Sequence, residues 1–124
     1  MDKLLENIGQ FLFNVVIAIF YFFYCMQPAK LDINRKDIMS IEIINTMNKR
    51  QIVVITDSKN ITKFYDKYLK NVNKELMNFV LEYEIKIKYG NGDIKTIWLS
   101  GKYLEYEGYD YRMKNNFDDF LKQY

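Results

Sequence analysis

Side chains that could carry covalent or acid–base chemistry are few in this chain. It contains no histidine, so the usual general base near neutral pH and the commonest metal ligand are both missing. Its one cysteine, Cys25, ends an apolar run, and Ser40, Ser58 and Ser100 have no histidine to activate them. We therefore expect no catalytic residue, no metal site and no cofactor.

Acidic residues gather toward the C-terminal end, but they lack the spacing of a known site. A calcium loop needs several oxygen ligands at fixed positions, and no such loop is present. A glycosidase pair needs a sugar cleft, for which the domain is small. We interpret these carboxylates as surface groups: Glu105, Glu107, Asp110, Asp118 and Asp119.

The overall charge excludes another class of function. The chain has 18 basic and 16 acidic residues, a net charge of +2, and it carries no nucleic-acid-binding motif. This balance is too mild for a general nucleic-acid binder, so we expect none.

Five lysines follow one another at helical spacing. At 100° per residue they fall within an arc of about 80°, opposite an apolar stripe. Such a face can contact an anionic lipid surface, at about 1 kcal/mol per basic residue. The alternative is an ordinary solvated helix face. The five are Lys59, Lys63, Lys67, Lys70 and Lys74.

Aromatic residues crowd a second region and suggest a contact surface for a protein partner. Tyrosine combines an apolar ring with a hydroxyl group, as contact surfaces require. Strand alternation must send some of these rings inward, so core packing is the alternative. The residues are Trp98, Tyr103, Tyr106, Tyr109 and Tyr111.

The segment from Ile8 to Met26 decides where the protein works. Its nineteen residues carry no charge, and as a helix they span about 28 Å, close to the thickness of a bilayer's hydrocarbon core. Tyr24 and Gln27 are poor neighbours for signal-peptide cleavage, so we expect an uncleaved, single-pass anchor. A cleaved signal or a helix buried in an oligomer are the alternatives.

Polar residues inside this segment could pair two copies of the helix. Gln10, Asn14 and Ala18 lie along one face, and amides in lipid seek hydrogen-bond partners. This face predicts a possible homo-oligomer through the anchor. The alternative is that Gln10 lies near the interface and Asn14 is tolerated.

The side of the membrane stays open. Lys30, Arg35 and Lys36 follow the segment closely, which by the positive-inside rule favours a cytoplasmic domain. A short N-terminal segment before a single anchor also tethers many domains on the outer side.

Hydrophobic periodicity divides the chain into an anchor (1–27), a linker (28–37) and a small α+β domain (38–124). Strand 38–44 would face inward through Met39, Ile41 and Ile43, and the more apolar strand 50–57 would be central. A helix begins at Asp57 or Ser58, and its predicted core face comprises Ile61, Phe64, Tyr65, Tyr68, Leu69 and Val72.

The C-terminal half predicts a three-strand meander and a short helix. Strand 81–89 alternates cleanly, and turns at Gly90–Asp93 and Ser100–Gly101 lead to strands 94–99 and 102–107. The predicted order is β-β-α-β-β-β-α, an antiparallel sheet with its helices on one face. The last helix presents Phe117, Phe120, Leu121 and Tyr124.

The run VVITDSKNITKFYDKYL, with YEIKIKYGNGDIKTIWLSGKYLEYEGYDY after it, resembles small uncharacterised domains of Firmicute lipoproteins and membrane-anchored proteins. The resemblance covers residues 38–124. It implies an envelope location and an α+β fold, and it supplies no catalytic residues.

These observations predict a non-enzymatic, membrane-anchored binding or interaction module with an unknown protein partner. The alternative is a toxin or bacteriocin immunity protein that acts by direct binding to the toxin.

The lysine face generates a first prediction. Changing Lys63, Lys67 and Lys70 to Glu should weaken binding of the isolated domain to anionic vesicles, because the attraction becomes repulsion. Vesicle co-sedimentation measures this. Equal binding by both proteins, or binding by neither, would remove the docking hypothesis.

Overall fold

The computed structural model describes residues 2–123, which form one long helix, an eight-stranded sheet and two short helices. The helices are α1 (Asp2–Met26), α2 (Ser58–Phe64), which continues into a π-helical segment (Tyr65–Leu69), and α3 (Asp118–Leu121). The strands are β1 (Pro28–Ala29), β2 (Ile38–Asn45), β3 (Gln51–Ile55), β4 (Val72–Glu75), β5 (Tyr83–Tyr89), β6 (Ile94–Ser100), β7 (Tyr103–Tyr106) and β8 (Tyr109–Met113). The predicted α+β class and N-terminal apolar helix are confirmed.

The strands form one antiparallel sheet in the order β1-β4-β8-β7-β6-β5-β2-β3. Three connections must cross it. Residues 30–37 link β1 at one edge to β2 past five intervening strands, and the helix α2 links β3 at the other edge back to β4. Residues 76–82 then link β4 to β5 past three intervening strands. Phe79 in the 76–82 connection stacks on Tyr103, with ring centroids 5.4 Å apart.

Alternation along the strands separates an inner and an outer face. The inner face packs against Ile61 and Phe64 of α2 in one continuous core. It is built from fully buried side chains of neighbouring strands: Ile41, Ile43, Ile85, Ile87, Ile97, Leu99 and Leu104. The outer face carries Glu84, Lys86 and Trp98, all partly exposed. The alternation predicted for 81–89 is therefore present.

Strand β2 differs from its prediction at one residue. Met39 is about half exposed (49%), while Ile38 is buried. The pairing of β2 with β5 shifts between Ile38 and Ser40, because an extra residue in β2 forms a bulge. The bulge turns Met39 outward, so the inward-facing set is Ile38, Ile41 and Ile43.

The prediction that strand 50–57 is central is wrong. Strand β3 lies at the edge of the sheet and pairs with β2. Ile52 and Val53 both pack against the core, whereas Val54 is largely exposed. A run of apolar residues can therefore belong to an edge strand whose side chains pack against the margin of the core.

The first domain helix ends earlier than predicted, and three strands were not predicted from the sequence. Lys70 N–H donates to the Tyr65 carbonyl (2.9 Å), a five-residue step that widens the last turn. Val72 then pairs with Ala29 and Met113, so it belongs to β4 and not to the helix. Strands β1, β4 and β8 thus extend the predicted meander to one edge.

Residues 28–37, which the sequence analysis describes as a linker, are part of the folded unit. Pro28 and Ala29 pair with β4, and Leu31 and Ile33 are buried in the core. Because most residues of this segment are polar, its sequence does not indicate that these two side chains face inward.

Phe117 closes the core beneath the short helix α3. It is fully buried, and four rings pack around it, with centroids 5.4–6.1 Å away: Phe64, Tyr68, Tyr83 and Phe120. Tyr124, predicted for the same apolar face, lies outside the described residues.

This packing generates a second prediction. Phe117→Ala should lower the free energy of unfolding by about 3–5 kcal/mol, because it removes a buried ring and leaves a cavity. Urea unfolding of the full chain in mild detergent, followed by Trp98 fluorescence, measures it. Met47→Ala, at a residue 93% exposed, is the matched control and should change stability by less than about 0.5 kcal/mol. Equal effects of the two changes would contradict this packing.

Candidate functional site

The most constrained polar group in the structure is Glu75, the last residue of β4. It is the one charged side chain that is buried among residues 2–123, with 2% of its surface exposed. Its backbone pairs with Asp110 of β8. A buried carboxylate is costly unless hydrogen bonds and an opposite charge compensate it.

Two side chains of α1 bind this carboxylate. Tyr21 Oη donates to Glu75 Oε1 at 2.7 Å, and Cys25 Sγ donates to the same oxygen at 3.4 Å. Tyr21 and Cys25 are four residues apart, so they lie on one face of the helix. The carboxylate therefore fixes which face of α1 meets the sheet.

The backbone that follows β4 donates two further hydrogen bonds to the Glu75 carboxylate. The N–H groups of Leu76 and Met77 donate to Glu75 Oε1 at 2.9 and 3.2 Å. These bonds fold the chain back around the carboxylate as it leaves the sheet. One oxygen thus holds both the end of α1 and the start of the 76–82 connection.

An arginine on the neighbouring strand supplies the opposite charge. Arg112 Nη2 lies 2.6 Å from Glu75 Oε2, and the two groups form an ion pair. The Arg112 guanidinium also lies 5.9 Å from the ring centroid of Tyr103, which stacks on Phe79. The junction therefore continues from α1 to the outer face of the sheet.

These contacts determine the charge state of the pair. Burial alone would raise the pKa of Glu75, but hydrogen bonds from Tyr21, Leu76, Cys25 and Met77 outweigh it and lower the pKa to about 2. Burial lowers the pKa of Arg112, and the carboxylate of Glu75 more than offsets this, so the pKa is raised. Both groups stay charged at neutral pH. The junction is a structural clamp, not an acid or base poised for proton transfer.

Sequence reasoning missed this junction. Glu75 and Arg112 are 37 positions apart, and only the β4–β8 pairing brings them together. The one local signal is the spacing of Tyr21 and Cys25, two polar groups on one face near the C-terminal end of a largely apolar helix. That spacing alone does not identify a partner.

The predicted lysine face is only partly assembled. Lys59 and Lys63 lie on α2, Lys67 lies in the π-helical segment, and Lys70 follows it, all exposed. Lys74 lies in β4, with Nζ 5.8 Å from the Tyr24 ring centroid, so its assignment to the helix is wrong. The wider π turn also changes the angular spacing on which the predicted arc depended.

The structure separates the five predicted aromatics. Trp98 and Tyr103 lie on the outer face, where strand alternation places them opposite the buried Leu99 and Leu104. The others lie elsewhere: Tyr106 is buried in the core, Tyr111 packs partly against it, and Tyr109 is exposed at the start of β8.

The predicted helix-pairing residues all lie exposed on α1. Gln10 Nε2 donates to Asn14 Oδ1 at 3.5 Å, so these two amides satisfy one another within the helix, and Ala18 continues the same face. The contact leaves other donor and acceptor positions on both amides.

An open polar groove of about 840 Å³ lies between the 35–37 turn and the β5–β6 turn. Its walls carry three carboxylates, Asp32, Asp37 and Asp93, and Lys95 pairs with Asp32 at 3.3 Å. Within residues 2–123 no three His, Cys, Asp or Glu side chains lie close enough together to hold a metal ion.

The paired carboxylate generates a third prediction. Glu75→Gln should destabilise the full chain by about 3 kcal/mol at pH 7, because the neutral amide loses the charge-assisted hydrogen bonds from Tyr21 and the backbone and places its own N–H donors among those donors. Because the folded-state pKa of Glu75 is lowered, its contribution is fully present above its ordinary pKa of 4.5 and is lost as pH falls toward about 2. The stability difference between the two proteins should therefore shrink across that interval.

Urea unfolding in detergent between pH 7 and pH 2.5 measures this difference. Glu82→Gln, at an exposed position, is the control and should have little effect at any pH. A difference for Glu75→Gln that does not change with pH would contradict an ionised, paired Glu75.

No protein-family model, no curated protein and no solved structure matches this chain.

Proposed function

We propose that this chain is a non-enzymatic, membrane-anchored interaction module, with α1 as a single-pass anchor. The observation that carries the proposal is the junction at Glu75. It joins an apolar helix, long enough to cross a membrane, directly to a folded sheet. The domain is thereby held close to the bilayer in a defined orientation.

The exposure of α1 supports lipid as its environment. Along Asp2–Met26, Cys25 is the buried residue, and large apolar side chains such as Leu12, Val16 and Phe20 are exposed. A helix that is apolar all round needs an apolar environment. Because the domain covers little more than its last turn, the bilayer supplies that environment.

The outer face of the sheet is the best candidate for a partner surface. Trp98 lies there between Glu84 and Glu105, its cross-strand neighbours on β5 and β7. A half-exposed indole flanked by two carboxylates suits a partner with basic side chains, which can pair with the carboxylates and stack on the ring. We assign this surface to a protein partner.

The anchor generates a fourth prediction. The full chain should stay with the membrane fraction after alkaline carbonate washing. Changing Leu12 and Val16 together to Lys should release it, because each charge near mid-membrane costs about 2.5–3.5 kcal/mol. Immunoblotting of pellet and supernatant measures the release.

Met47→Lys is the matched control. It adds a cation at an exposed turn and should leave the chain with the membranes. Release of the unaltered chain by carbonate would overturn the anchor.

A further inference from the structure

The junction places one end of the sheet beside α1. Glu75 is the last residue of β4 and binds Tyr21 and Cys25 of the helix. Tyr21 comes five residues before the end of α1, so the last ~7.5 Å of the helix runs alongside the sheet. Strand β4 terminates at this end of the sheet. We call it the α1 end.

Strand directions show which other residues share the α1 end. Strand β8 is antiparallel to β4, so β8 begins where β4 terminates, and Tyr109 is its first residue. Strands β6 and β8 are both antiparallel to β7, so β6 also begins at this end, with Ile94. Tyr24 of the helix, Lys74 and Tyr109 line one small cleft there.

Exposed apolar side chains collect at the α1 end. Leu76 and Met77, directly after β4, are 54% and 45% exposed, and Tyr109 is 66% exposed. Ile94 is also exposed, but it lies three strands from β4, beside Lys88 and the polar turn at Asp93, so it is not part of this group. Large exposed apolar side chains cost little singly, but a group of three where α1 meets the sheet indicates a contact surface. Their position next to α1 indicates what covers them.

We propose that the α1 end of the sheet inserts Leu76, Met77 and Tyr109 into the interfacial layer of the same bilayer that α1 enters. The proposal rests on the membrane anchoring proposed above. The domain then lies against the membrane and does not stand away from it on a stalk. Tyrosine and aliphatic side chains are typical of this layer, where apolar groups are buried by about 5–10 Å.

The charges nearest to α1 suit zwitterionic lipid, whereas the farther part of this sheet end, at the 35–37 and 90–93 turns, is polar and carries Asp37 and Asp93. Glu75 is paired with Arg112, and Lys74 lies over the Tyr24 ring. Glu107, in the β7–β8 turn, is exposed and acidic. An acidic group here opposes binding to an anionic surface, so the contact depends on the apolar side chains and needs no anionic lipid.

Tryptophan quenching in reconstituted full-length protein tests the proposal. In a Trp98→Phe background, Met77→Trp and Leu76→Trp each place one indole at the α1 end. Met47→Trp is the control, because Met47 follows β2 at the opposite end of the sheet. Phe13→Trp, within α1, is the positive control for quenching. The vesicles are phosphatidylcholine without bromine, with bromine on the acyl chains near the headgroups, or, for Phe13→Trp, with bromine near the ends of the acyl chains.

We expect brominated lipid to reduce the emission of the Met77→Trp, Leu76→Trp and Phe13→Trp variants and to leave that of Met47→Trp unchanged. Quenching of Phe13→Trp alone would overturn the insertion and leave the anchor intact. A blue-shifted emission from Met77→Trp that bromine does not reduce would indicate a second copy at this surface and would also overturn it. Failure of the protein to float with the vesicles would overturn the anchor and the insertion together.

Discussion

A buried ion pair fixes the arrangement of this molecule. The Glu75 carboxylate lies between an apolar helix and a β-sheet, where an unpaired charge would cost several kcal/mol. Hydrogen bonds from two helix side chains and two backbone N–H groups, together with Arg112, compensate that cost. Each partner must be in place for the others to be tolerated, so the helix, β4 and β8 are coupled through one side chain.

This coupling changes the picture of a domain on a flexible tether. The chain leaves α1 at Met26 and enters β1 at Pro28, and Lys74 N–H donates to the Gln27 carbonyl at 3.0 Å. The helix α1 and the sheet are thus continuous in hydrogen bonding as well as in sequence. A surface carried by the sheet, such as that around Trp98, keeps a set direction relative to the helix axis.

Sequence predicts those parts of the fold whose residue pattern lies entirely within one short segment. The alternation of 81–89 and the Gly-rich turn at 90–93 are local, and both are present. The position of β3, the bulge at Met39 and strands β1, β4 and β8 depend on partners far along the chain. The four residues of β4 also follow a helix without a glycine or proline to mark the change.

The candidate site was hidden for the same reason. The repeated lysines and tyrosines predicted contact surfaces, yet the structure places Lys74 in a strand and Tyr106 in the core. Glu75 is not part of any repeated pattern in the sequence. Its importance comes from burial and from Arg112, which only the folded sheet supplies.

The strand order also has a consequence for how the protein is made. α1 is synthesised before the sheet, but β1 must wait for β4, and the clamp must wait for Arg112 in β8. At 5–20 residues per second, the interval between β1 and β8 is on the order of ten seconds. During that time the nascent chain carries a finished α1 and an open junction. Attachment of the sheet to the helix must therefore wait until β8 has been synthesised, and a polypeptide truncated before β8 retains α1 without the clamp.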